Sequence, residues 1–135
     1  MKKIFTLAAA LLLLLPGAKA QETQKINKKN LVIKEWNTDA KSKHQVLDHQ
    51  TTYNADGKKI EEIEYNSSGQ KWRKRFEYNA AGKVSRELVY DEKNKLQTVK
   101  KFEYNEFGRK KTQYNYDGKG KLRSMKVFEY ITEDA

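Results

Sequence analysis

His44 and His49 are the only imidazoles in the chain, five residues apart in Lys43-His44-Gln45-Val46-Leu47-Asp48-His49. Two imidazoles chelate one ion only if both leave their element on the same side. On a strand an odd separation sends them to opposite faces, so the spacing predicts surface histidines and no shared metal. The adjacent carboxylates Glu61-Glu62, Asp91-Glu92 and Glu133-Asp134 fail the same test as acid and base. A glycosidase pair must face one sugar from about 5–9.5 Å apart, and strand neighbours diverge. Asp117-Gly118 lacks the further acids of a calcium loop. No serine stands in a nucleophile elbow. The chain has no cysteine, which excludes thiol catalysis, thiolate zinc, disulfides and a lipid anchor on a processed cysteine. Asn66-Ser67-Ser68 has only the form of a glycosylation acceptor. These residues predict no catalytic centre, no metal and no cofactor; the protein is expected not to be an enzyme.

The remaining chemistry is aromatic. Trp72, Phe76, Tyr78, Tyr90, Phe102, Tyr104, Tyr114, Tyr116 and Phe128 supply rings that can stack on sugars or on an extended polymer. What positions them is a repeated phrase of Tyr, Asn or Asp, two free residues, Gly or Asn, and usually a cation. It runs Tyr53-Asn54-Ala55-Asp56-Gly57-Lys58, then from Tyr65, Tyr78, Tyr90, Tyr104 and Tyr116, and Tyr130 closes the series at intervals of 12, 13, 12, 14, 12 and 14 residues. Such a period holds one strand and one turn, too little for two helices or a βαβ unit.

Asn or Asp, two permissive residues and Gly suit a type I turn followed by a left-handed residue, a three-residue hairpin loop with a bulge. The left-handed positions are Gly57, Gly69, Gly82, Asn94, Gly108 and Gly120, and Asn is the next residue after Gly to tolerate φ > 0. Trp36-Asn37-Thr38-Asp39-Ala40-Lys41 reads as a degenerate first copy. The fold class is all-β: a single-sheet antiparallel meander of seven or eight strands, strongly twisted or coiled, built from 12–14-residue strand-turn units. Strands are expected near 31–36, 43–53, 58–65, 70–78, 83–90, 95–104, 109–116 and 121–130.

Strict alternation back from each tyrosine puts all nine candidate rings on one face. The opposite face becomes a lattice of Glu, Lys and Arg. Strand 70–78 is one residue out of step, which a bulge would absorb. No helix is expected to cover the aromatic face, so it must be covered by curling of the sheet, by a second copy in a weak homo-dimer, or by a ligand.

Residues 1–20 read as a signal peptide cleaved after Ala20. Lys2 and Lys3 precede an apolar run from Ile4 to Leu15, Pro16-Gly17 break it, and Ala18-Lys19-Ala20 is a small-x-small site. The run falls short of the ~20 residues of a spanning helix, so no membrane segment is expected to be retained. Residues 21–30 are polar and aperiodic, a flexible N-terminal arm, and 31–135 form the repeat domain. The full chain has 28 Lys and Arg against 18 Asp and Glu. Removing residues 1–20 takes three lysines and no acid, leaving +7. That excess favours anionic surfaces such as lipid headgroups and acidic glycans. With export, it gives no expectation of a nucleic-acid partner.

The phrase resembles the YD repeats of Rhs and teneurin-type proteins, with their Tyr-Asp-x-x-Gly-Arg unit, over Trp36 to Tyr130. It is similar also to small exported repeat proteins of unknown function from gut-dwelling Gram-negative bacteria. The first resemblance implies β-hairpin repeats, but eight strands are too few for the hollow shell of large Rhs proteins. The second implies export to the periplasm, cell surface or medium, and no activity. The expected role is a noncatalytic binding or structural module of the cell envelope that meets glycan or an envelope protein.

Overall fold

A computed structural model describes residues 26–133. The signal segment, residues 21–25 of the arm and the last two residues lie outside the described residues. Eight strands follow one another: β1 (Val32–Thr38), β2 (Gln45–Tyr53), β3 (Lys59–Asn66), β4 (Gly69–Tyr78), β5 (Val84–Tyr90), β6 (Leu96–Tyr104), β7 (Lys110–Asp117) and β8 (Leu122–Val127). They form one antiparallel sheet in the order β1 to β8, open at both ends. The last strand stops at Val127, three residues short of the expected Tyr130.

The turns form because Asn or Asp can imitate backbone. Asn54 Oδ1 accepts the N–H groups of Asp56 and Lys58, at 2.9 and 3.0 Å. Asn79, Asp91, Asn105 and Asp117 repeat this pattern in later turns. The Gly57 N–H donates back to the Asn54 carbonyl, which closes the type I turn, and Gly57 itself is left-handed. All six expected positions have positive φ, Asn94 at 62° among them. The Asn66 turn is tighter, with Asn66 paired directly to Gly69. The first turn departs from its expected reading. Asp39, two residues after Asn37, accepts the Lys41 and Ser42 N–H groups, and the positive φ falls on Lys43.

Every hairpin carries one extra residue on one strand, and this overturns the single aromatic face. Between β4 and β5, Glu77 pairs with Arg86 but Tyr78 pairs with Val84, leaving Ser85 unmatched. The same slip leaves Asp48, Ile60, Lys71, Gln97, Lys111 and Arg123 unmatched. Each slip reverses the alternation beyond it, so each tyrosine keeps its nearest alternate residues but successive tyrosines do not share one face. Directly paired residues share a face. Phe76 pairs with Glu87 and Glu87 with Lys100, which sits two before Phe102. Ile63 pairs with Arg73 and Arg73 with Tyr90, on the opposite side.

Trp72, Phe76, Tyr78, Phe102 and Tyr104 therefore occupy one face with Lys74, Glu87 and Lys100. Tyr90, Tyr114 and Tyr116 occupy the other with Ile63, Leu88, Arg73 and Arg75. Successive tyrosines alternate in both end and face, so the two sides are near equivalents. Among the described residues only Ile63, at 9% exposure, and Phe102, at 7%, are buried hydrophobics, one per face. Each strand touches only its chain neighbours, so the aromatic strip is not packed on itself as expected.

Candidate functional site

Rings on both faces are covered by cations from neighbouring strands rather than by a second layer. Lys59 Nζ lies 5.0 Å from the Phe76 ring centre, Lys74 Nζ 5.6 Å from Trp72 and Lys110 Nζ 4.4 Å from Phe102. On the opposite face the Arg73 guanidinium stacks 4.2 Å over Tyr90. Long alkyl stems lie across apolar surface while the charged heads stay wet, so each contact combines burial with attraction to the ring quadrupole. Alternation read from sequence had sent Arg73 to the side opposite the rings; the bulge between β4 and β5 brings it onto the face of Tyr90.

The turn cations build a second array along the sheet end that holds the 53–58, 78–83 and 104–109 turns. Lys28 sits over Tyr53, Lys58 over Tyr78 and Arg109 over Tyr130, at 5.5, 5.4 and 5.4 Å. Lys58 Nζ also donates to the Gly82 carbonyl at 3.0 Å, tying one turn to the next on that end. The tyrosines reach back the same way. Tyr78 donates to the Lys59 carbonyl, Tyr104 to that of Val84 at 2.6 Å and Tyr130 to that of Lys110 at 2.7 Å. Burial raises the Tyr78 and Tyr104 hydroxyls above their ordinary pKa. At the other end Gln70 takes the cation's place and donates to the Asp91 carbonyl at 2.9 Å. The phrase itself contained the signal for Lys58 and Arg109: a cation at a fixed offset from most of the tyrosines.

Of the nine rings singled out by sequence, five share a face, three share the opposite one, and Phe128 lies one residue past β8. Phe128 is half-buried and donates its N–H to the Lys111 carbonyl at 3.1 Å. Tyr114 is half-buried on β7, opposite Met125.

Several strand carboxylates are engaged with cations, while Asp91 accepts the Lys93 and Lys95 backbone N–H groups. Glu61 meets Arg73 at 3.2 Å, Glu62 meets Lys59 at 2.7 Å, Glu87 meets Lys74 at 3.2 Å and Asp117 meets Arg123 at 2.8 Å. Glu77 and Arg86 form a two-pronged pair at 2.6 and 3.0 Å, and that hydrogen bond above all lowers the Glu77 pKa. A general acid needs the opposite shift. His49 Nδ1 contacts Glu35 at 2.6 Å, with its ring edge-on to Trp72. His44 lies in the first turn, where a shallow depression also holds Asp39 and Ser42. There Ser42 Oγ donates to Asp39, and His44 contributes its backbone N–H to Ser42 rather than its ring. Among the described residues no three His, Asp or Glu side chains gather as a metal set, and no helix is long and apolar enough to cross a membrane. No protein-family model, curated protein or solved structure matches the chain.

Proposed function

We propose that this is a noncatalytic, exported module of the cell envelope that holds an acidic glycan along its sheet. The observation that carries the reading is the recurrent placement of a cation within 4.2–5.6 Å of an aromatic ring, chiefly along the Phe102 face, with Arg73 over Tyr90 on the other. A sugar stacks its C–H face on a ring, and a carboxylate or sulfate on that sugar pairs with the adjoining cation. Neutral glycans satisfy only the first half. The net positive charge expected after export draws the polyanion in.

A glycan array probed at low and moderate salt tests this. Uronate- or sulfate-bearing polymers should bind, neutral ones should bind more weakly, and added salt should weaken the acidic class most. Trp72→Ala with Arg73→Ala should remove a cation–ring site on each face and reduce binding. Turnover of any glycan by the pure protein would end the noncatalytic reading. Preference for neutral glycans, or capture of an envelope protein with no glycan bound, would end the acidic-glycan reading.

A further inference from the structure

We infer that copies of this protein join head to tail by pairing β8 of one copy with β1 of the next, which extends the sheet without a break. Both end strands are exposed along their whole length, and each has one row of backbone groups without a strand partner. Exposed large apolar side chains concentrate there: Trp36 and Met125 are each 53% exposed, and Val32, Ile33, Leu122 and Val127 join them. Neither strand contains proline, the residue that most directly blocks an edge.

Direction and side-chain identity choose the occupant. Strands alternate in direction across eight positions, so β1 of a like-oriented copy meets β8 antiparallel, as any next strand would. Glu35 is paired to His49 on the Phe102 face, and Lys126 to Gln113 on that same face. Trp36 and Met125 both stand on the Ile63 face. Setting Lys126 opposite Glu35 therefore sets Met125 opposite Trp36 and Ser124 opposite Asn37, each pair on a shared face. One register thus yields an ion pair, a sulfur–aromatic contact and a polar pair. Two-fold pairing of β1 on itself at full overlap would instead set Glu35 against Glu35. The head-to-tail contact is heterologous, so it does not close at two copies.

Charge reversal tests the arrangement on the exported protein recovered after expression of the full chain. Sedimentation velocity should show species growing past dimer as concentration rises from micromolar to millimolar. Lys126→Glu alone should lose assembly, and so should Glu35→Lys alone. An equal mixture of the two variants should restore it, because every junction then regains opposite charges. Lys126 makes no ion pair among the described residues. Its reversal therefore leaves the monomer intact, and circular dichroism checks that Glu35→Lys also folds. If Glu35→Lys does not fold, Met125→Lys replaces it as an independent block of the same junction. A monomer at every concentration, a species that stops at dimer, assembly unaffected by Lys126→Glu, or a folded mixture that stays monomeric would overturn the inference.

Discussion

Gly118 occupies a turn position filled by Ala55, Ala80, Glu92 and Glu106 in the other three-residue loops. By the repeat it is a free position. In the fold, a Cβ there would meet the Leu96 carbonyl oxygen at 2.0 Å. Backbone cannot yield as a lysine tip can, so Gly118→Ala should cost about 1–3 kcal/mol in urea unfolding. Gly82 is constrained for the reason the sequence did make legible, a φ of 76°. Gly82→Val should cost on the order of 1–2 kcal/mol, while Val at the neighbouring Ala81 is tolerated. Equal tolerance at both would contradict the turn. Asn94 shows the limit of motif reading. It was legible as a left-handed substitute for Gly, yet its Oδ1 also accepts from Arg73 Nε at 3.0 Å, a contact across strands that local spacing does not encode. Acid should weaken the fold through Glu77 and Asp117. The first is lowered chiefly by its bond to Arg86, the second chiefly by the Lys121 N–H. A depressed folded pKa means that the unfolded chain takes up protons first. The stabilisation is therefore full above the ordinary carboxylate value of about 4 and is lost as pH falls through and below it. Glu77→Gln should flatten that acid loss in urea midpoints, and an unchanged slope would contradict the assignment.

At the scale of the hairpin, the strands and turns from Tyr53 to Lys121 were legible, because Asn/Asp and Gly at fixed offsets answer to local backbone chemistry. The first turn and the end of β8 lack that pattern. Which residues share a face was not legible. It depends on where the unmatched residue sits, and Ser85, Gln97 and Lys111 have no composition in common that marks them. A bulge was expected at the turns, but not that each would reverse the facing of one tyrosine unit relative to the next. That reversal moved Tyr90, Tyr114 and Tyr116 to the other face and hid the pairing of Arg73 with Tyr90. The Arg73–Tyr90 contact tests the corrected register, since strict alternation puts those two on opposite faces. A double-mutant cycle with Arg73→Ala and Tyr90→Ala should give a coupling of roughly 0.5–1 kcal/mol. A coupling indistinguishable from zero would return Arg73 to the other face.

The whole molecule is then a sheet one layer thick, wet on both sides and held by side chains that lie across their neighbours. It needs no partner to hide an apolar face, because the bulges divide the apolar residues between two faces and the cation stems cover them. Among the strands this cover is thinnest on β1 and β8, which are exposed along their whole length. A fold of this kind should bury little apolar area on forming, and apolar hydration dominates the heat capacity of unfolding. Scanning calorimetry on dilute, monomeric protein measures that directly. Compact globular domains give about 12–15 cal/mol/K per residue. The single-layer account predicts a value below about 10 for the sheet. A value in the full globular range would mean that the rings pack against a second layer, and would contradict it.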